Sequence, residues 1–305
     1  MPEPVDCVII GAGPAGLTAA IYLARFNLST QIYDGGHSRC ATIPLTRNHA
    51  GYPGGIAGAE LLSRMRLQAQ EFGISVNDEQ VEHLKQQEDD FLVSTASRAV
   101  RARTILLATG VANNRPPIDD AEHARAVEGG LLRYCPICDG FEVMDKRVGV
   151  IGTDVHGYSE ALFIRMYTKY VTLIAPGAAH ALSVEQHAVL RDLDIEAIEG
   201  PCGTLAIDGC EIVAPTARGS IRFDSIYPAL GSVIRSELAV ALGAEASTEG
   251  CLVVDDYQRT SLVGLYAAGD VAKGLDQISH AMGEAGVAAT TIRNDLAKMG
   301  SLVRR

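Results

Sequence analysis

The sequence predicts an α/β protein built from two doubly wound units, with the second inserted into the first. Three observations predict this class. A strand, glycine turn, helix and strand open the chain at "VDCVIIGAGPAG", the same pattern starts again at Arg147, and a late strand in "GLYAAGD" is placed to return to the first sheet. A length of 305 residues is enough for two domains, each with its own core.

The first unit begins with a buried strand, "VDCVII", followed by the turn "GAGPAG", the helix "LTAAIYLARF" and the strand "TQIYD", which ends in Asp34. This is the full context of a dinucleotide-binding, Rossmann-like unit. Gly11 permits the tight turn, Gly13 lets a pyrophosphate approach the backbone, and Gly16 lets helix and strand pack closely. The phosphates would lie at a helix N-terminus. The alternative is that the glycines serve packing only and that Asp34 is a turn residue.

The chain then continues with the helix "GAELLSRMRLQAQEFG", which Gly73 ends. A hairpin is predicted over residues 80–95, and a buried strand over 104–110. The following stretch, "VANNRPPIDDAEHARAVEGG", is predicted to be a loop that leads to the second unit.

The second unit repeats the pattern with the strand "RVGVIG", the helix "YSEALFIRMYT" and the strand "VTLIA". The capping box "SVEQ" opens a further helix, and short strands follow up to residues 225–231. We therefore predict a discontinuous outer domain, residues 1–114 plus 247–305, and a continuous middle domain, residues 115–246.

Composition excludes several classes of partner. The chain is 47% hydrophobic and 21% charged, and its formal charge of −11 argues against a nucleic-acid partner. No apolar run approaches the roughly 18 residues that a membrane span needs. The N-terminus "MPEPVDCVIIG" has no basic region and is not typical of a signal peptide. We expect a cytoplasmic protein without a membrane partner.

The seven cysteines are neither a secreted disulfide framework nor a zinc ribbon, because their number is odd and only one C-x-x-C pair exists. That pair is Cys135 and Cys138. An isolated C-x-x-C could equally be an inert buried pair or half of a metal site, so the pair alone decides nothing. The other five cysteines are expected to be small buried apolar residues.

Four motifs in order, "GAGPAG", "LLATG", "CPICDG" and "AAGDVA…DQISHAMGEAG", resemble the low-molecular-weight thioredoxin reductase family over nearly the whole chain. The resemblance implies two Rossmann-like domains of three-layer ββα architecture. It further implies FAD in the outer domain and, normally, NADPH in the middle one. A homodimer and a dithiol that passes electrons to a disulfide are also implied.

The resemblance implies a FAD site on the outer domain. Gly11, Gly13, Ala15 and Gly16 would hold the pyrophosphate, and Asp34 the adenosine ribose; Asp270 would hydrogen-bond the flavin's sugar-alcohol chain, with Gln277 and Ile278 beside the ring. The complete predicted set is Gly11, Gly13, Pro14, Ala15, Gly16, Asp34, Gly35, Arg39, Asn48, Val81, Ala108, Thr109, Gly110, Gly269, Asp270, Gln277 and Ile278. Outside this pattern, Asp270 or Asn48 would more often be a turn or cap residue.

The resemblance also assigns the chemistry. Cys138 would face the flavin, Cys135 would meet the substrate disulfide, and Asp139 would be the general acid for the departing thiolate. The expected substrate partner is a thioredoxin-like protein or a small-molecule disulfide or dithiol.

The sequence departs from the family where NAD(P)H should bind. Asp154 replaces the middle glycine of the second turn, "GTDVHG", where its carboxylate would oppose a phosphate. The stretch "VTLIAPGAAHA" lacks the arginines that recognise a 2′-phosphate and also lacks an acid for NADH. We therefore predict weak or lost NAD(P)H binding. The alternative is binding through an altered loop, since Gly152 and Gly157 are retained.

Two further departures lie near the expected flavin. Asp276 stands where the family has an arginine, and the segment "GGHSRCATIPLTRNH" adds Arg39 and His49. The added segment and the missing cofactor motifs resemble members that have lost the pyridine nucleotide, including dithiol oxidases of the gliotoxin-oxidase type.

The leading hypothesis is an FAD-dependent thiol–disulfide oxidoreductase that uses NAD(P)H poorly. A dithiol oxidase that passes electrons to oxygen is the alternative enzyme. A flavin-bearing redox sensor without turnover is the alternative from another class.

Overall fold

The structure is a computed structural model and describes residues 3–88, 90–300 and 302. Its strands, in chain order, are β1 (Val5–Ile10), β2 (Thr30–Tyr33), β3 (Val76–Asn77), β4 (Val81–Gln86), β5 (Phe91–Thr95), β6 (Ala99–Leu107), β7 (Val111–Asn113), β8 (Val148–Ile151), β9 (Val171–Ile174), β10 (Glu196–Ile198), β11 (Ala206–Asp208), β12 (Glu211–Thr216), β13 (Gly219–Phe223), β14 (Ser225–Pro228), β15 (Ser232–Ile234) and β16 (Leu265–Ala267).

The α-helices are α1 (Pro14–Arg25), α2 (Gly58–Glu71), α3 (Asp120–Glu128), α4 (Pro136–Asp139), α5 (Asp154–Ile164), α6 (Val184–Asp192), α7 (Glu237–Ala241) and α8 (Ile278–Met299). Two 3₁₀ turns, Arg39–Thr42 and Gly140–Val143, complete the elements. No helix in this part of the chain has the length and apolar character to cross a membrane.

The chain forms two compact units. The first contains the residues up to Thr42, Ile56–Ala112 and the residues from Val233 onward, and the second contains Ile43–Gly55 and Asn113–Ser232. The predicted limits of the functional domains, at residues 114 and 247, stay a prediction.

The first unit is built on one sheet in the order β3-β2-β1-β6-β5-β4, with β16 also paired to β6. Strands β3, β2, β1, β6 and β16 are parallel, and β4 and β5 form the predicted antiparallel hairpin. Buried residues of β1 and β6, such as Val8 and Ile105, pack with Val271 in one core. The predicted return of the strand in "GLYAAGD" to the first sheet is confirmed by β16.

The second unit has three layers. A parallel sheet of order β10-β9-β8-β14 packs on one face against the antiparallel sheet β11-β12-β13, where Ile151 and Ile226 meet Ile212 and Phe223. On the other face the parallel sheet packs against helices, as where Val150 meets residues of α5 and α6. The order of layers is therefore the predicted ββα.

Of three local predictions, one is confirmed and two need correction. The capping box is confirmed, because the Ser183 hydroxyl accepts the Gln186 N–H while the Gln186 side chain accepts the Ser183 N–H. The stretch after β7 is not all loop: α3 begins after Asp119, whose carboxylate caps it. Helix α5 begins at Asp154 rather than within "YSEALF", so most of the predicted glycine turn is its first helical turn.

Candidate functional site

The first glycine turn joins β1 to α1, and one of its positions is not explained by the protein's own packing. A side chain at Gly11 would collide with the carbonyl oxygen of Ala108, and one at Gly16 with that of Gly11. Among the described atoms, a Cβ at Gly13 would approach only the Ser38 hydroxyl, at 3.5 Å, and φ of −74° suits any residue. Gly13 therefore leaves room for a group from outside the chain at the N-terminus of α1.

Asp34 follows β2 directly and is buried beside this turn. Its Oδ1 accepts the Ala12 N–H at 3.3 Å, and its Oδ2 accepts a hydrogen bond from the Arg66 guanidinium at 2.8 Å. Asp34 and Arg66 also line an open cavity of about 450 Å³ together with Ser38. Arg66 was not predicted, because a pair that joins a strand end to a helix leaves no short-range pattern.

Arg39 is held between two carboxylates. Its Nη1 donates to Asp276 at 2.9 Å and to Asp270 at 3.2 Å. Burial and the negative charge of Asp276 raise the pKa of Asp270, and the Arg39 guanidinium opposes that shift. The two departures noted near the expected flavin are therefore linked, since Asp276 is the ion-pair partner of the added arginine.

Glu284 supports the backbone at the start of the "GDVA" motif. Its Oε2 accepts the Gly269 N–H at 2.7 Å, and its Oε1 lies 2.9 Å from Nε2 of His280. Gly269 has φ of +76°, and a Cβ there would press on Ala15 and Ala281. The sequence offered a signal for Glu284, because it lies inside the motif "HAMGEAG", but no role was assigned to it.

The structure places most of the other predicted cofactor residues in the first unit. Thr109 and Gly110 contact Arg235: the Thr109 hydroxyl donates to its carbonyl oxygen at 2.5 Å, and the Gly110 carbonyl accepts its N–H at 3.0 Å. Pro14 and Ala15 begin α1, Val81 begins β4, Ala108 follows β6, Gly35 lies against Gln80, and Gln277 and Ile278 open α8. Asn48 lies in the segment Ile43–Gly55 of the second unit, where its Oδ1 accepts the Thr46 hydroxyl at 2.8 Å.

Cys135 and Cys138 form a disulfide at the short helix α4 of the second unit. Cys135 is the N-cap, and its Sγ accepts the Cys138 N–H at 3.2 Å. Both cysteines are partly buried, whereas Ile137 and Phe141 beside them are exposed, at 51% and 73%. The pair is therefore oxidised and sits next to an exposed apolar surface.

Asp139 follows Cys138 and has a donor on each carboxylate oxygen. Arg133 donates to Oδ2 and the Tyr227 hydroxyl donates to Oδ1, both at 2.8 Å. Burial raises the pKa of Asp139, and these two donors oppose the shift. Asp139 was predicted from the sequence, but its two partners were not; Tyr227 belongs to β14, 88 positions further along the chain.

Glu160, on α5, is a second acid near this group; it is half-buried, and its Oε1 is fully buried. Burial and the negative charge of Asp139 raise the pKa of Glu160 to about 7. No short-range pattern distinguishes Glu160 from the other helical glutamates.

Packing within the chain requires the two outer glycines of the second glycine turn, Gly152 and Gly157. Gly152 and Gly157 pack on each other so closely that a Cβ on either would collide with the other's backbone. Between them, Asp154 has a left-handed backbone (φ +52°), and its Oδ1 accepts the His156 N–H at 2.8 Å. The side chain that replaces glycine therefore occupies an N–H at the start of α5.

Two backbone N–H groups near this turn also donate hydrogen bonds to side chains of the protein. The Thr153 hydroxyl oxygen accepts the Ala181 N–H at 2.7 Å, and Glu199, after β10, accepts the His180 N–H at 2.8 Å. Sequence analysis missed Glu199. It adds a second carboxylate near the end of β9, where a nucleotide ribose or phosphate would otherwise lie.

The prediction for the remaining cysteines is partly wrong. Cys7, Cys40 and Cys202 are buried, but Cys210 is exposed and Cys251 is half-buried. Cys210 lies in the tight turn between β11 and β12, where a side chain faces solvent.

Comparisons with known proteins agree with the architecture. The family model "Pyridine nucleotide-disulphide oxidoreductase" matches residues 5–285. Thioredoxin reductase of Treponema pallidum is 30% identical over 303 residues, which cover 95% of this chain and 96% of that protein.

Solved structures are similar as well. The crystal structure of thioredoxin reductase from Streptococcus pyogenes has a TM-score of 0.88 at 25% identity, covering 96% of this chain and 98% of that chain. The crystal structure of HlmI has a TM-score of 0.88 at 26% identity, covering 97% and 93%. The predicted two-domain α/β class is confirmed. The chain belongs to the pyridine nucleotide-disulphide oxidoreductase family, as an oxidoreductase of thioredoxin reductase type that acts on sulfur groups.

Proposed function

We propose that this protein exchanges electrons between FAD and a disulfide or dithiol substrate through Cys135 and Cys138, and that it uses NAD(P)H weakly or not at all. The observation that carries the first part is the disulfide at α4 with Asp139 and its two donors beside it. The second part is supported by the carboxylates at the second glycine turn.

The residues of the first unit fit FAD. The space beside Gly13 is not filled by any described side chain, and it lies at the N-terminus of α1. Backbone N–H groups and the helix dipole favour a pyrophosphate at such a position. Asp34 is placed to accept ribose hydroxyls, and Asp270 the hydroxyls of the sugar-alcohol chain. When bound, FAD supplies reversible two-electron exchange with a thiol pair.

Within the second unit, each residue of the redox group has a separate task. Cys135 exchanges disulfides with the substrate, and Cys138 is released as a thiolate when the pair is opened. Asp139 protonates that thiolate, because it follows Cys138 in a partly buried site. Arg133 and Tyr227 hold the Asp139 carboxyl in place. Ile137 and Phe141 offer an apolar contact surface to a thioredoxin-like protein or a small disulfide.

The second turn does not fit the pyrophosphate of NAD(P)H. The Asp154 carboxylate accepts the His156 N–H that a phosphate would need, and its negative charge repels the phosphate. Two unit charges about 4 Å apart repel by about 4 kcal/mol near a protein surface. Because Asp154 is exposed and solvent screens its charge, a loss of at least about tenfold in affinity is expected from that repulsion.

An anaerobic titration tests this proposal. The flavin-loaded protein is mixed with NADPH, then NADH, and separately with dithiothreitol, while the visible absorbance of oxidised flavin is recorded. We expect bleaching by dithiothreitol and little or none by either nucleotide. Rapid bleaching by NADPH or NADH would refute the loss of nucleotide use, and no bleaching by the dithiol would refute the electron path through the cysteines.

The same titration separates the alternatives. Rapid return of the flavin colour in air, with peroxide formed, would favour the dithiol oxidase. Bleaching without turnover of any substrate would favour the redox sensor. We further propose a cytoplasmic homodimer, with FAD in residues 1–114 plus 247–305 and the redox pair in residues 115–246.

Asp154→Gly tests the cause of weak nucleotide binding. Glycine adopts the left-handed backbone without strain, frees the His156 N–H and removes the charge. We expect NADPH to bind at least about tenfold more tightly than to the parent protein. The matched control is Asp154→Asn, which keeps the side-chain hydrogen bond and tolerates this backbone but carries no charge. We expect an intermediate affinity for it, and unchanged affinity in both variants would contradict the argument.

A further inference from the structure

Glu160 is a titratable side chain near the redox pair for which the steps above have no use. It lies on α5, which packs against α4. Its Oε1 is buried and has no hydrogen-bond partner among the described residues. A carboxyl in such a setting favours its neutral form, because a buried charge without a partner costs several kcal/mol.

The pKa of Asp139 is also raised by burial, but unlike the buried oxygen of Glu160 its carboxylate oxygens both have donors. The Arg133 guanidinium and the Tyr227 hydroxyl each donate to one of its oxygens, and such donors favour the carboxylate. The charged and titratable groups around the two acids are Arg133 before α4, Tyr227 on β14 and Glu142, whose negative charge also acts on Asp139. Glu142 is itself paired with Arg47 at 3.1 Å.

When the two acids together hold one proton, it therefore binds Glu160 in preference to Asp139. Asp139 has both donors, and Glu160 has none on its buried oxygen. Burial and the charge of Asp139 raise the pKa of Glu160 to about 7, so the pair retains a proton up to neutral pH. That proton resides on Glu160.

We propose that Glu160 is a positioning residue for thiol–disulfide exchange: it stores the proton that Asp139 passes to the departing thiolate of Cys138. The proposal rests on the exchange role proposed above for the cysteine pair. It adds a proton store on a different helix from the redox pair.

A dithiol opens the disulfide in two successive exchanges. A thiolate of an external dithiol attacks Cys135 Sγ, the bond between Cys135 and Cys138 breaks, and a mixed disulfide forms at Cys135. Cys138 leaves with the electron pair and is protonated through Asp139, which passes on the proton held by Glu160; Glu160 then regains a proton from the solvent. The second thiol of the dithiol then closes its own disulfide and releases Cys135. The dithiol loses two electrons and two protons, and the two cysteines gain them.

The experiment is a pH profile of disulfide opening in the flavin-loaded protein. Dithiothreitol opens the disulfide anaerobically, samples are alkylated, and mass spectrometry of the peptide with Cys135 and Cys138 gives the rate. Each rate is divided by the dithiothreitol thiolate concentration, so that ionisation of the reductant does not contribute. For the parent protein this normalised rate should fall as pH rises through the ionisation of Glu160.

In Glu160→Gln the normalised rate should be about tenfold lower or more on the acid side and flat across that range, since general acid catalysis contributes 10² to 10⁴. Glu160→Asp should restore the pH dependence in part. Asp192→Asn is the matched control, because it removes an exposed carboxylate from α6, another helix of the same unit. It should keep the profile of the parent protein.

The outcomes are distinguishable. If Glu160→Gln lowers the rate equally at every pH, or leaves the profile unchanged, Glu160 stores no proton and the inference is wrong. If the dithiol fails to open the disulfide in the parent protein as well, the proposed exchange role itself is wrong.

Thermal unfolding supplies a second readout that needs no reaction. The pKa of Glu160 is raised from 4.5, its ordinary value, to about 7 in the folded protein. The folded protein therefore binds the proton more tightly than the unfolded chain, and stability falls as pH rises from 4.5 to about 7. Glu160→Gln removes that dependence. Its melting temperature relative to the parent protein should therefore be higher at about pH 8 than at about pH 5. An equal difference at both pH values would contradict a raised pKa.

Discussion

Replacing Cys138 with serine is expected to lower the turnover of disulfide or dithiol substrates by about a thousandfold or more, because a serine hydroxyl is un-ionised at neutral pH and cannot close a disulfide with Cys135. Serine is close to cysteine in size and can occupy the third position of α4, so the fold should not change. Turnover is measured with a thiol substrate and the reductant or oxidant that the flavin titration identifies.

The same variant tests the assignment of the two sulfurs. With Cys138→Ser, the thiol of Cys135 should form a stable mixed disulfide with a substrate, because no neighbouring thiol is present to displace it. Cys135→Ser should form much less of this adduct if Cys138 does not meet the substrate. Trapping on Cys138 instead of Cys135 would reverse the assignment.

Cys210→Ser is the matched control for these measurements. Cys210 is exposed and reduced, and it lies in the turn between β11 and β12. Turnover by this variant should equal that of the parent protein. Turnover that survives in Cys138→Ser would instead show that another group carries the electrons, whereas loss of a measurable turnover in this variant would refute the redox-sensor alternative.

Short-range patterns in the sequence were sufficient to predict the elements that carry the site. The glycine turn before α1, the hairpin of β4 and β5 and the capping box at Ser183 each depend on residues a few positions apart. The helix α3 was missed although Asp119 is a good N-cap, because the proline-containing stretch before it resembles a connecting loop. The proline-containing stretch indicated a loop and Asp119 indicated a helix start, and the structure follows Asp119.

The partners of the site residues could not be predicted in this way. Arg39 and Asp276 are 237 positions apart, and Tyr227 is 88 positions from Asp139. Such pairs form only after the strands are placed in a sheet, so no spacing rule identifies them. The sequence did predict that Asp154 would oppose a phosphate. It could not predict that the same carboxylate would cap His156, because that depends on the backbone at the start of α5.

Gly13→Asp is expected to leave the fold intact and to lower FAD affinity by at least about a hundredfold. In the first unit this substitution reproduces what Asp154 does in the second. The backbone at Gly13 suits any residue, and the nearest described atom to a new Cβ is the Ser38 hydroxyl at 3.5 Å. A carboxylate there would meet the pyrophosphate at the N-terminus of α1, where it would repel it.

Gly13→Asp is expected to affect the melting temperature of the apoprotein and its FAD content in different directions. An acidic N-cap stabilises a helix relative to glycine by a few tenths of a kcal/mol, so the apoprotein should melt at the same temperature or slightly higher. FAD content after purification, measured as released flavin fluorescence, should fall to near zero. A general folding defect would lower both quantities together.

Two other substitutions separate charge from size. Gly13→Asn has a side chain of similar size without the charge, and it should retain more FAD than Gly13→Asp. Gly16→Ala should lower the stability of the apoprotein itself, because its Cβ would collide with the carbonyl oxygen of Gly11. If Gly13→Asp bound FAD as the parent protein does, Gly13 would not face the pyrophosphate, and the corresponding argument for Asp154 would lose its support.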